Sequence, residues 1–228
     1  MHSDLSVNVT DAWRERFPDA HVGLLVVDGA SNPSSHRVLG ARVREIEERL
    51  RAQFAGADRA TLIALPAIQA YQRHYRTFGQ TYHVLRQLES VALKGRQLVS
   101  GGALVLSMFA VELQTLLLTA GHDLDAVQPP LIIDRSNADE GFVGLGGTEH
   151  VLRGGDMLMR DSVGIISAVV YGPDQRTRLG AQTQRVMFTT YAPAGIDAVS
   201  TRRHLEDLAV MVRLVAPAAT TQLLDIFP

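Results

Sequence analysis

The sequence has no cysteine and a single lysine, Lys94. The first absence excludes disulfides and thiolate metal sites. The second leaves one residue for lysine Schiff-base chemistry, and it sits in the turn-like "LKGR". No apolar run is long enough to span a bilayer: the longest, Ala103 to Leu118, is broken by Glu112 and Gln114. A basic surplus is also missing. The 22 Lys+Arg against 24 Asp+Glu give a net charge of −2, where a dedicated nucleic-acid binder carries a basic excess or stripe. The nearest approach to a stripe is Arg73 to Arg96, with Arg73, His74, Arg76, His83, Arg86, Lys94 and Arg96. No stretch near the N-terminus combines a basic start, an apolar run and a small-residue cleavage site, which predicts a cytoplasmic protein. H-x-x-x-H, H-E-x-x-H, a complete P-loop and G-x-S-x-G are absent too, so the expectation is a protein without metal or cofactor.

What is present reads as an ordinary soluble fold, 46% hydrophobic and 20% charged over 228 residues. "HVGLLVVDGA" (21–30) predicts a buried strand and turn. "VREIEERLRAQFAG" (43–56) has helical spacing and a glycine stop. Residues 67–93, after Pro66, predict two helices broken near Phe78-Gly79. The run from Ala103 predicts a helix ending at Gly121. Beyond it, "PLIID" (130–134), "MLMRD" (157–161), "GIISAVVYG" (164–172) and "RVMFTTYA" (185–192) predict strands, and 201–215 an amphipathic helix. This is an α+β pattern. It divides into a strand–helix segment of about 1–66, a core of about 67–193 and a C-terminal helix within about 200–226, all in one domain.

Glu112 is the first chemical candidate. On a helix it shares a face with Met108, Phe109 and Leu116, with Thr115 as the polar neighbour. Apolar surroundings disfavour the ionised carboxyl, so the placement predicts a raised pKa and a general acid. The competing reading is a core-rim glutamate whose head reaches solvent or an arginine. His122 follows, beside Asp123 and Asp125; a histidine there serves as base or donor, or the aspartates simply cap a turn. Tyr71, Tyr75, Phe78 and Tyr82 line up on one helical side, as core or as the wall of an aromatic pocket. "DRSNADEGF" (134–142) brings Arg135 near Glu140, as an ion pair or a binding loop. "GPDQRTR" (172–178) places Arg176 and Arg178 on a turn, where an arginine suits a carboxylate or phosphate.

The order of these motifs resembles the B3/B4 domain of the bacterial phenylalanyl-tRNA synthetase β subunit and its free-standing relatives. The likeness runs from about Tyr71 to Pro193. It rests on "YRTFG" (75–79), "LKG" (93–95), "AGHDLDAV" (120–127), "LIIDRSNADEGFVGLGG" (131–147), "GDMLMRD" (155–161) and "SAVVYGPDQRTRLGAQTQRVMFTTYAP" (167–193). In the synthetase this domain hydrolyses tyrosine wrongly attached to tRNA. The resemblance implies a β-sandwich of unusual topology flanked by helices, with a pocket sized for an aromatic amino acid. It places the editing histidine at His122 and the small residues beside the substrate ring at about Ser167 and Ala168. The family's substrate-recognising carboxylate falls near Thr189, which is not acidic, while Glu112 is an acid the family lacks. The scaffold is therefore expected to be kept and the pocket rewritten.

The expectation is a stand-alone enzyme whose partner is a small aromatic amino acid or amine. Phe109, Tyr75, Phe78, Ser167, Ala168, Thr189, Arg135 and Glu140 would bind it, and Glu112 and His122 would move protons. A Pictet–Spengler-type condensation with an aldehyde or keto partner is one reaction that needs only such help. The alternatives are a trans-editing hydrolase of mischarged tRNA, disfavoured by net charge, and a non-catalytic binding module for RNA or a ligand.

Overall fold

The computed structural model describes residues 5–228. In chain order the elements are β1 (Val7–Val9), α1 (Asp11–Arg16), β2 (His21–Asp28), α2 (Arg37–Gln53), α3 (Arg59–Ile63), α4 (Pro66–Arg76), α5 (His83–Leu88) and α6 (Ala103–Thr115). They continue as β3 (Leu118–Asp123), β4 (Leu131–Arg135), β5 (Gly141–Val143), β6 (Glu149–Val151), β7 (Met157–Arg160), β8 (Ile165–Ala168), β9 (Gly172–Pro173), β10 (Arg185–Ala192), α7 (Ala198–Val215) and β11 (Thr220–Phe227). The fold is α+β. Among the described residues no helix is long and apolar enough to cross a membrane.

Two sheets carry the molecule, with strand orders β1-β4-β7-β8-β9 and β11-β2-β10-β3, plus a small β5-β6 hairpin. Strand alternation explains how they meet. On β10, Thr189 and Tyr191 point at the five-stranded sheet: Thr189 Oγ1 lies 3.9 Å from Met159 Sδ, and the Tyr191 hydroxyl bonds Ser167 Oγ at 2.7 Å. The intervening Thr190 points the other way, toward α7, through Thr119 of β3. One face of the four-stranded sheet thus packs on the other sheet and the opposite face on helices. The helices come very close at Gly23, where a Cβ would meet Thr201 Cγ2 at 2.8 Å and Leu205 Cδ1 at 2.9 Å. A side chain there would push α7 off the sheet.

The N-terminal segment is part of this body. β1 pairs with β4 in parallel register, and β2 lies between β10 and β11. α2 begins at Arg37 rather than 43, because the His36 side chain accepts the Leu39 N–H and caps the helix. Its Leu39, Val43, Ile46 and Leu50, spaced four, three and four apart, are buried.

Two expectations are corrected. α6 stops at Thr115, not Gly121: Leu116 takes a left-handed conformation (φ 63°), and the chain turns into β3. An unbroken run such as "LLLTAGH" satisfies a buried strand as well as a buried helix, so periodicity alone could not separate them. The C-terminal helix ends at Val215, and Thr220–Phe227 returns as a strand on β2 rather than extending it.

Candidate active site

The reversal between α6 and β3 builds the site. The Leu116 N–H bonds back to the Glu112 carbonyl at 2.7 Å, and that of Leu118 to the Tyr71 hydroxyl at 2.9 Å. The Leu116 carbonyl accepts from the Tyr82 hydroxyl at 3.0 Å. The Thr119 N–H takes Glu112 Oε1 at 2.8 Å. Side chains therefore satisfy a turn that is buried from water. Tyr71 and Tyr82 stack with ring centroids 4.4 Å apart, which fixes both hydroxyls on the turn.

Glu112 is 1% exposed and its second oxygen, Oε2, has no partner among the described residues. It borders a cavity of about 240 Å³ with largely apolar walls. α6 supplies Val105, Met108 and Phe109 as well as Glu112. β3 contributes Leu118, Thr119, Ala120 and Gly121, and β10 Tyr191; the second sheet and the turn after it add Ala168 and Val169; Leu145 and Leu179 come from loops. His83 and Arg178, both exposed, stand at the rim. The volume is below the range that drug-sized ligands occupy, so it suits a smaller molecule.

Burial raises the Glu112 carboxyl to about 8, against a partial offset from the Thr119 N–H. At neutral pH it is therefore mostly a neutral acid. Oε1 already accepts a hydrogen bond, so the proton sits on the unpartnered Oε2. The arrangement sets one neutral acid in the wall of an apolar chamber. After donation, the Thr119 N–H holds the carboxylate.

His122 is placed differently from expectation. It lies within β3, not in a loop, and is fully buried but does not line the cavity. Its Nδ1 is 2.8 Å from Thr177 Oγ1, and Thr177 in turn donates to Asp174. Thr177 spends its proton on Asp174, so Nδ1 carries the imidazole proton and Nε2 is a bare acceptor. Burial, helped by the nearby Arg176 and opposed by Asp161, lowers this histidine to about 3. Asp123 accepts from Asp125 N–H and Thr183 Oγ1, the capping role.

Of the other expected residues, Phe109 and Ala168 line the cavity. Ser167 and Thr189 are buried behind it, Ser167 bonded to Tyr191. Tyr75 is buried with its hydroxyl on the Val169 carbonyl at 2.6 Å, and Phe78 packs on His74, so both support the wall rather than form it. Arg135 and Glu140 lie away from the cavity: Arg135 bonds Asn137, and Glu140 bonds Asn137 and Arg160. They do not pair with each other as the loop sequence had implied, because Arg160 of β7 takes the carboxylate. Arg176 is held by Asp161 at 2.9 Å, whereas Arg178 bonds only the Gln175 carbonyl. Lys94 pairs with Glu89 at 2.7 Å, outside the cavity. Met108 lines the cavity on the Glu112 face where the helical spacing put it; Val105, one further turn back at seven residues before Glu112, was not named from the sequence although the same periodicity contains it, and Tyr191 and Leu179 carry no local signal. Among the described residues no group of three or more His, Asp or Glu is arranged to hold a metal ion.

No protein-family model matches the sequence, and no curated protein is similar to it. Among solved structures, the fold is similar to an N-terminal fragment of the phenylalanyl-tRNA synthetase β subunit from Pyrococcus horikoshii, with a TM-score of 0.52 and 11% identity. The alignment covers 99% of this chain and 55% of that fragment. At this identity the likeness is one of fold, a distant relationship in architecture.

Proposed function

We propose that the protein is a cofactor-independent enzyme that takes a small aromatic amino acid or amine into the cavity and moves protons on it with Glu112. The observation that carries this reading is a buried carboxyl among the residues that line an apolar cavity, with one oxygen anchored and the other unpartnered. A polar atom left so is costly, and such costs concentrate where chemistry is done. A carboxyl near 8 exchanges its proton readily in both directions around neutrality. The apolar walls and Phe109 suit a ring, and Arg178 at the rim suits the carboxylate of an amino acid.

The reaction class that uses these parts is condensation of the amine with an aldehyde or keto acid, followed by Pictet–Spengler-type ring closure. The amine adds to the carbonyl, and the Glu112 O–H protonates the departing hydroxyl, which leaves as water. The ring carbon then attacks the resulting iminium carbon. The Glu112 carboxylate accepts the ring proton, which restores aromaticity and the neutral acid.

A second reading, trans-editing of mischarged aminoacyl-tRNA, is favoured by a fold likeness that spans nearly the whole chain. The net charge of −2 and the absence of an acid at Thr189 weigh against it. Thermal midpoints with free aromatic amino acids, their decarboxylated amines and bulk tRNA, at low and high salt, separate the two. Stabilisation by amino acids or amines, indifferent to salt, is expected. Stabilisation by tRNA alone, abolished by salt, would overturn the first reading in favour of the second.

A further inference from the structure

A second buried histidine stands on the far side of β3 from the cavity. His204 of α7 is fully buried, and both its ring nitrogens are occupied. Nδ1 is 2.7 Å from Thr115 Oγ1, at the last residue of α6, and Nε2 is 2.6 Å from Thr119 Oγ1, at the second residue of β3. These two threonines bracket the reversal that holds Glu112.

The direction of every bond in this chain follows from donor counting. Thr115 Oγ1 donates to the Val111 carbonyl at 2.9 Å, so it accepts from His204, and Nδ1 carries the imidazole proton. Nε2 is then an acceptor and takes the Thr119 hydroxyl proton. Thr119 Oγ1 accepts in turn from Thr190 Oγ1 at 3.2 Å. One neutral tautomer satisfies the whole run, and burial keeps the imidazole neutral by lowering it to about 3. The ring thus spans a fixed gap between the end of the helix and the start of the strand. Within that gap, the Thr119 N–H reaches Glu112 Oε1.

We infer that His204 is a positioning residue for Glu112: by clamping Thr115 to Thr119 from behind the sheet, it fixes the backbone N–H that anchors one oxygen of the carboxyl and orients it in the cavity wall. This rests on the reading of Glu112 as the acid of the site. Without the clamp the left-handed Leu116, the two tyrosines and the pairing of β3 with β10 hold the reversal, but nothing ties the end of α6 to Thr119. The Thr119 N–H then loses its set distance, and the carboxylate loses the hydrogen bond that offsets its burial. The other titratable or charged groups around Glu112 are Tyr71, Tyr75, Tyr82, Tyr191, His83 and Arg178; burial pushes all four phenols up, so they stay neutral while Glu112 titrates.

The test compares His204→Leu with Leu208→Ala, which removes buried packing one turn along the same helix without touching the clamp. The readouts are the thermal midpoint and the titration of the Glu112 carboxyl, followed by infrared difference spectroscopy against Glu112→Gln in the same background. Both variants lower the midpoint. Only His204→Leu moves the Glu112 titration further up, because the carboxylate loses the N–H that offsets its burial, and with it weakens aromatic amine binding about tenfold or more. Thr115→Val removes one end of the clamp with little change in volume. It gives the same direction of shift and serves where His204→Leu does not fold. An unmoved Glu112 titration in Thr115→Val or His204→Leu, or an equal shift in Leu208→Ala, would overturn the inference. The titration is read without ligand, so failure of every amine to bind would count against the proposed activity alone.

Discussion

Glu112 and His122 make an instructive pair. Both are buried, both have one polar atom bonded to a threonine and one without a partner, and both depart strongly from their ordinary pKa. They differ in what they stand against. Glu112 is among the residues lining the cavity; His122 is not, and sits between the sheets, tied through Thr177 to Asp174. The shifts also run to different ends. Burial makes Glu112 a neutral acid that exchanges near neutrality, but drives His122 to a value where it stays neutral throughout the physiological range. Burial and an orphan atom do not define a catalytic group. Access for a second molecule, and a pKa near the working pH, do.

The largest way to break this comparison is at Glu112. Glu112→Gln keeps the shape and an acceptor for the Thr119 N–H but removes the exchangeable acid, so turnover falls about 100-fold or more, as measured by product formation under saturating amine. Retained turnover would put the acid elsewhere. His122→Ala should do the reverse. It lowers stability by about 1–3 kcal/mol in denaturant unfolding, through lost packing and the unpaired Thr177, while amine affinity stays within about twofold. A larger loss of affinity would bring His122 back into the site.

Stability against pH sharpens the contrast further. Between about 4.5 and 8 the folded chain keeps a Glu112 proton that the unfolded chain has lost, so this group makes stability fall as pH rises. His122 and His204 act with the opposite sign at lower pH. From 6.5 down toward 3 the unfolded chain gains protons that the folded imidazoles refuse, so stability falls as pH falls. Above 6.5 only Glu112 of these three still contributes. Its slope from 6.5 to 8 amounts to roughly 2 kcal/mol and should vanish in Glu112→Gln. The smallest effect is at the wall: Phe109→Leu should weaken binding of an aromatic amine by only a few-fold, because leucine keeps most of the apolar area and loses the ring contact.

The sequence carried this contrast unevenly. Glu112 was legible because its neighbours at helical spacing are apolar, and the same spacing places Phe109 on the cavity. His122 was misplaced because nothing in "TLLLTAGHD" announces that Leu116 turns left-handed. That one residue converts an expected loop into a strand and rotates the histidine between the sheets. The strand pattern of β4, β7 and β10 was readable, while β11 was not: its burial is partial, and its role depends on the distant β2. Burial decides both pKa shifts, and the burial of His122 and its neighbouring Arg176 and Asp161 charges come from long-range pairing that the sequence does not display. Ala168 reached the site through family likeness rather than through any local signal.

The measurement that reaches furthest into this account is the protonation state of Glu112 itself. Infrared difference spectra of wild type against Glu112→Gln across pH 5 to 10 isolate its carboxyl stretch. The account predicts the C=O band of a neutral acid at pH 6, replaced by a carboxylate band with a midpoint of about 8. A carboxylate band already complete at pH 6 would contradict it, and with it the acid at the centre of the site.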